Sequence, residues 1–133
     1  MTIKEMKAFD MDELLALYAS VGWTNYTDNP EMLKQAYEHS LLILEARDGE
    51  KLVGIIRVVG DGYSIVFIQD ILVHPEYQRQ GIGTQLLRKI MELYSEVYQM
   101  ELMTDDTPGT ISFYQSMGLW KADDVGACAF VRM

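Results

Sequence analysis

From residue 10 onward the apolar positions first recur at helical spacing and then merge into near-continuous runs. Asp10 stands where it can N-cap a helix, with Glu13 three residues later as in a capping box. Met11, Leu14, Leu15, Tyr18 and Val21 form the apolar stripe of that helix. Asn29-Pro30 opens a second helix with Leu33, Ala36, Tyr37 and Ser40 on one side. The loop between the two, Gly22 to Thr27, is aromatic and carries Trp23 and Tyr26. Leu41 to Arg47 and Leu52 to Gly60 flank Asp48-Gly49-Glu50 and read as a hairpin. A third strand follows the Gly60-Asp61-Gly62 turn, from about Tyr63 to Val73, and is apolar almost throughout, so both of its faces should be covered. A helix is predicted from about Gly81 to Tyr98, with Leu86, Ile90, Leu93 and Val97 on one side. Met100 to Thr104 then reads as a short strand, Thr110 to Met117 as a short helix ending at Gly118, and Ala127 to Arg132 as a final strand. This order predicts an α+β, or mixed α/β, fold with helices on both faces of one sheet.

Composition narrows the function classes. With 133 residues, 49% of them hydrophobic, the chain can bury one substantial core, and no repeat or Pro/Gly/Ser-rich linker divides it. A single domain spanning 1–133 is the economical expectation. Eleven Lys and Arg against 20 Asp and Glu give a net charge of −9, which repels nucleic acid and favours a cationic partner or substrate. The same acidity also serves solubility. No 18-residue apolar run predicts a membrane span. Residues 1–10, charged at Lys4, Glu5 and Lys7, do not read as a secretory signal, so a cytoplasmic protein is expected. The lone Cys128 sits in an apolar run and is expected to be a buried structural thiol. No metal site is expected.

The richest segment runs from Val73 through His74-Pro75-Glu76-Tyr77-Gln78-Arg79-Gln80-Gly81-Ile82-Gly83-Thr84 into an amphipathic helix. Glycines at 81 and 83 remove side chains where the chain turns. The backbone N–H groups of Gln80 to Thr84 can then converge at the positive end of the helix dipole. Such a nest suits a pyrophosphate, and Arg79 can add a bidentate charged contact. Spacing excludes two alternatives. No third glycine follows Gly83 by three residues, as a dinucleotide fingerprint needs, and no Gly-Lys-Ser/Thr makes a P-loop.

Gln78-Arg79-Gln80-Gly81-Ile82-Gly83 resembles the Q/R-x-x-G-x-G/A signature of the GNAT acetyltransferases, and Asp70-Ile71-Leu72-Val73-His74-Pro75 is the usual lead-in. Downstream, Phe113-Tyr114-Gln115-Ser116-Met117-Gly118-Leu119 resembles the family's F-Y-x-x-x-G-F segment, with Leu119 for the common Phe. The likeness extends from about Leu41 to Gly118. It implies a mostly antiparallel sheet in which the strand ending at Val73 splays from the strand at Met100. Coenzyme A would sit in that gap with its pyrophosphate on Gln78 to Thr84. Main-chain groups of Ile71-Leu72-Val73, those of Ile71 and Val73 above all, would pair with the pantetheine arm as a strand would.

Acetyl transfer from acetyl-coenzyme A to an amine needs a base, an oxyanion donor and an acid for the thiolate. The resemblance implies Tyr114 as the acid and the Ile71 N–H as the oxyanion donor. Their rivals are plain: Tyr114 could be a core aromatic of its short helix. Gln69-Asp70 interrupts an apolar strand, where burying a carboxylate is costly. A β-bulge, which the family often has at this point, would turn Asp70 toward the cleft as base; otherwise it serves sheet-end hydrogen bonds. Asp105 and Asp106 are alternatives, and His74 reads as structural. Trp23 and Tyr26 are candidates for binding an acceptor amine by stacking and cation–π contact, or for packing the first two helices. Acetylation of a small-molecule primary amine is the leading reading. A protein lysine or N-terminal acetyltransferase and a non-catalytic coenzyme A-binding domain are the alternatives. A homodimer is left open.

Overall fold

The computed structural model describes residues 1–133, which fold as two compact units, Met1–Leu102 and Met103–Met133. The first contains β1 (Thr2–Glu5), α1 (Met11–Ser20), α2 (Thr24–Thr27), α3 (Pro30–Glu38), β2 (Leu42–Asp48), β3 (Lys51–Gly60), β4 (Ile65–Val73), α4 (Ile82–Leu93) and β5 (Gln99–Leu102). One sheet runs β1-β2-β3-β4-β5; its first four strands are antiparallel and β5 is parallel to β4. A parallel pair needs a crossover, and α4 supplies it.

Neighbouring residues of β3 show how the faces are used. Ile55 is buried with Leu14, Leu17 and Tyr18 of α1 and Leu33 and Tyr37 of α3. A Cβ on the adjacent Gly54 would meet Ile82 and Leu86 of α4. Successive strand residues point to opposite faces, so the N-terminal helices cover one face and α4 covers the other. This is the mixed sheet with helices on both faces that the pattern predicts. It also explains why seven of the ten β3 residues, Leu52 to Val58, are buried without alternation.

Asp10 caps α1, its carboxylate accepting the N–H groups of Asp12 and Glu13. The reciprocal half of the capping box is not made. Glu13 instead takes both terminal nitrogens of Arg47, at 2.7 and 2.9 Å, tying α1 to β2. A charge-assisted bidentate pair outcompetes a single backbone N–H. The β3–β4 turn depends on Gly60, whose φ is +125° and whose added Cβ would lie 2.5 Å from the Ile65 carbonyl oxygen. Gly60→Ala is expected to cost about 1–3 kcal/mol, read as an earlier midpoint in urea. An unmoved midpoint would mean that the turn relaxes freely.

Four expectations need correction. The Gly22–Thr27 stretch is not all loop, because Thr24–Thr27 closes a helical turn and buries Tyr26. The helix predicted to reach Tyr98 stops at Leu93, since the N–H groups of Tyr98 and Gln99 turn back to the Tyr63 and Ser64 carbonyls to start β5. The last expected strand, Ala127 to Arg132, forms none, and Cys128 is exposed rather than buried. Strand propensity is realised only against a partner strand, and this stretch has none. In the second unit α5 (Pro108–Ser116) is capped by Thr107 and stopped by Gly118, whose φ is +89°. Leu119 N–H bonds to the Tyr114 carbonyl and Gly118 N–H to that of Gln115, a Schellman stop that requires the left-handed residue.

Candidate active site

β4 is paired on both edges for only part of its length. Its parallel register with β5 covers Ile65 to Ile68, and Gln69 to Val73 continue against β3 alone. Alternate residues of an antiparallel strand aim both backbone groups at the same neighbour. The His74 N–H donates to the Val53 carbonyl at 2.7 Å. Leu72, two residues earlier, therefore also faces β3, while Ile71 and Val73 face the unpaired edge. The Val73 carbonyl on that edge accepts the Gln78 side-chain amide at 3.0 Å. Two N–H groups, those of Ile71 and Val73, are left presented as on an edge strand. Leu72, grouped with them as a cofactor contact, has its side chain in the helix-side core and its N–H turned inward.

The loop that follows is held from outside. Pro75–Tyr77 is a single 3-10 turn, capped by the His74 ring, and the Tyr77 hydroxyl donates to Asp48 at 2.8 Å. Arg79 then adopts φ +64°, a left-handed conformation rare outside glycine, and Gly81 adopts +82°. α4 starts at Ile82 with no side-chain cap, and its first helical bond is Gln85 N–H to the Gly81 carbonyl. The N–H groups of Ile82, Gly83 and Thr84 thus have no intrahelical partner, at the positive end of the dipole. Gly83 needs no glycine for the protein's own packing. Its φ is not positive, and a Cβ there would come no nearer than 4.0 Å, to Val73. At this second helical position the missing side chain leaves the backbone open to close approach from outside. Arg79 is exposed and in no ion pair, whereas the Gln80 amide lies 3.5 Å from the Glu76 carbonyl. An uncapped, glycine-lined helix start beside a free guanidinium fits a pyrophosphate.

Behind β4 lies a buried polar cluster. The register steps between Arg57/Asp70 and Val58/Ile68, leaving Gln69 as the extra residue of a β-bulge. The bulge turns Asp70 to the helix-covered face, where it is only 3% exposed. Its Oδ2 accepts from Arg57 Nε and the Tyr18 hydroxyl, both at 2.9 Å, and its Oδ1 from the Tyr26 hydroxyl at 2.7 Å. Tyr37 shares a hydrogen bond with Tyr18 at 2.9 Å, and its ring lies under the Arg57 guanidinium. Burial, then the neighbouring Tyr37 hydroxyl and the Asp70 charge, pushes the Tyr18 hydroxyl far above the ordinary phenol range. Burial and Asp70 likewise raise Tyr26. For Arg57 burial opposes the charge, but Asp70 outweighs it and the pKa is raised. All three groups therefore stay protonated near neutrality, and every buried side-chain polar atom has a partner. Tyr26 is a buried member of this cluster, while Trp23 is half-buried with its ring centroid 5.9 Å from that of Tyr18.

In the second unit Tyr114 is half-buried in α5, its ring 4.9 Å edge-on from Phe113. Burial raises its hydroxyl, and a hydrogen bond from Thr104 only partly offsets this, so the phenol remains a proton donor at neutral pH. Asp105 and Asp106 are exposed. No group of His, Cys, Asp and Glu has metal-binding geometry, and no helix is long and apolar enough to cross a membrane.

Residues 8–119 match the model of the acetyltransferase (GNAT) family. This chain belongs to the GNAT acetyltransferases. An N-acetyltransferase of Prochlorococcus marinus named ycf52-like is 32% identical over 95% of this chain and 71% of its own length. A GNAT-family acetyltransferase of Streptococcus pneumoniae TIGR4 superposes with a TM-score of 0.90 at 43% identity, covering 99% of this chain and 96% of that one. At 21% identity, where likeness speaks for the fold alone, an aminoglycoside 6'-N-acetyltransferase complexed with coenzyme A gives a TM-score of 0.63 over 71% of this chain and 56% of that one.

In this GNAT chain the structure brings Ile71, Val73, Gln78 and Gly81 to Thr84 to one edge of the first unit and gathers Asp70 with Tyr26. Three members of the buried cluster, Arg57, Tyr18 and Tyr37, escape a reading of motifs. One signal does point to Arg57. It is the only charge in Leu52 to Val59, as Asp70 is in Ile65 to Val73, and the two strands are consecutive. Two lone opposite charges in adjacent apolar strands have every reason to meet.

Proposed function

We propose that this acetyltransferase moves the acetyl group of acetyl-coenzyme A onto the primary amine of a small molecule, by direct attack within a ternary complex. The observation that carries the reading is the unpaired edge at Ile71 and Val73 running into the uncapped start of α4. The first offers strand-like donors to a pantetheine arm and the second offers donors to a pyrophosphate. That the aminoglycoside acetyltransferase binds coenzyme A on the same fold supports it. Acetyl-coenzyme A supplies a thioester carbonyl and a thiolate leaving group. The Ile71 N–H is assigned to the carbonyl oxygen as it gains charge. Tyr114, a phenol held protonated, is assigned the proton that the departing thiolate takes up. Attack by the neutral amine forms the C–N bond and breaks the C–S bond; the proton lost by nitrogen passes to water, and the Tyr114 phenol regains its own from solvent. A net charge of −9 favours a cationic acceptor.

Gly81→Glu tests the cofactor site. A Cβ there meets no protein atom closer than 4.0 Å, although φ +82° strains any L side chain, and the glutamate brings a negative charge to the proposed phosphate position. Coenzyme A affinity should fall at least tenfold, about 1.4 kcal/mol, by calorimetry. Gly81→Asn, which tolerates the left-handed conformation, should lose less. Equal affinity in the glutamate variant would remove this loop from the site. An amine panel set beside lysine-bearing peptides, read by free thiol release, tests the acceptor class. Turnover confined to peptides would overturn the small-molecule reading.

A further inference from the structure

The bulge at Gln69 decides which backbone groups β4 shows to its open edge. Without it, Ile71 rather than Leu72 would stand opposite Ile55, and every later residue would shift by one. Ile71 and Val73 would then turn toward β3, and Leu72 would take the open edge. Hydrophobicity hardly distinguishes the two registers. Both faces of the sheet are covered by apolar helices, and Ile71-Leu72-Val73 can fill either face. Asp70 does distinguish them. In the bulged register it meets Arg57 at 2.9 Å, with side chains 5% and 2% exposed. In the other it would stand opposite Ile56 on the α4 face, away from Arg57 and the three phenols, and an unpaired buried carboxylate is costly.

We propose that the Arg57–Asp70 ion pair is a register lock for β4, which makes Arg57 a positioning residue for acetyl transfer although it faces away from the open edge. The lock rests on the reading of that edge as the cofactor strand. Tyr18 and Tyr26 extend it, since both hydroxyls donate to the same carboxylate and tie the bulge to α1 and α2.

The test uses coenzyme A itself and two readouts, calorimetric affinity and amide hydrogen exchange at residues 71–74. In the wild type Leu72 and His74 should exchange slowly and Ile71 and Val73 fast, with coenzyme A slowing the latter pair. Absence of that slowing would overturn the reading of the edge and leave the lock without its function. The decisive variant is the double Arg57→Met/Asp70→Asn, which removes both charges together, strands neither, and keeps an acceptor oxygen for the tyrosines. It should lose at least tenfold in coenzyme A affinity, and the contrast between Leu72 and Ile71 exchange should collapse, with a melting midpoint close to wild type. Arg57→Lys, which keeps the charge, should recover most of the affinity. Wild-type affinity and an unchanged exchange pattern in the double variant would overturn the lock. So would loss of the whole fold, because the pair would then hold the molecule rather than one strand's register.

Discussion

Asp70→Ala is expected to lower the unfolding free energy by about 3–5 kcal/mol, the usual cost of breaking a buried ion pair from one side. The variant leaves the Arg57 guanidinium, 4% exposed, without its partner, and removes the acceptor used by both Tyr18 and Tyr26. In a chain of this size that should move the thermal midpoint by on the order of 10 °C. Asp70→Asn keeps the shape and one acceptor oxygen, so it should cost less. The same pair of variants decides the role of Asp70 in turnover. Its oxygens already take three donors, and contact with an ammonium would have to displace or crowd one of them. If Asp70 is the base, Asp70→Asn loses turnover at saturating cofactor by far more than its loss of stability accounts for. If it serves the cluster alone, activity and stability fall together. A loss of less than about 1 kcal/mol in Asp70→Ala, measured in urea, would mean that water reaches Arg57 and that the cluster is not the closed network described.

Tyr114→Phe should lower kcat roughly 10²-fold, about 2.7 kcal/mol of barrier, within the range for loss of a general acid. The ring and its edge-on contact with Phe113 remain, so stability should change by about 1 kcal/mol or less. Coenzyme A affinity should hold, because the hydroxyl matters chiefly as the sulfur gains charge. The pH profile gives a second check. An acid acts only while protonated, and burial raises this phenol above its ordinary value of 10.0. No alkaline fall in rate should therefore come from Tyr114 below that pH. A loss of only twofold would assign the proton to solvent and leave Tyr114 as a half-buried aromatic.

The elements that sequence specifies best are those whose signal is local. Asp10 ahead of an apolar stripe fixes the start of α1, and Asn29-Pro30 that of α3. The glycines around Gln78 to Thr84 are legible because a left-handed turn and an uncapped helix start are backbone demands that side chains cannot disguise. The inner strands were legible from their apolar runs, but two expectations near the C-terminal end of the chain failed where only a distant partner decides. Ala127 to Arg132 has the composition of a strand and pairs with nothing, and Val97 continues a helical spacing that the chain abandons to begin β5.

The candidate site divides along the same line. Spacing alone determined where the proposed phosphate-binding loop lies, since its donors are consecutive residues of one turn. Only the tertiary structure decided the rest. A one-residue bulge at Gln69 sets which N–H groups face outward, and that depends on β3 registering against β4. Asp70 and Arg57 are thirteen residues apart, Tyr26 and Asp70 forty-four, and such meetings are fixed by packing rather than by any local pattern. Burial then raises the Tyr18 and Tyr26 hydroxyls, because a phenol acquires a shifted pKa only from what surrounds it in the folded chain.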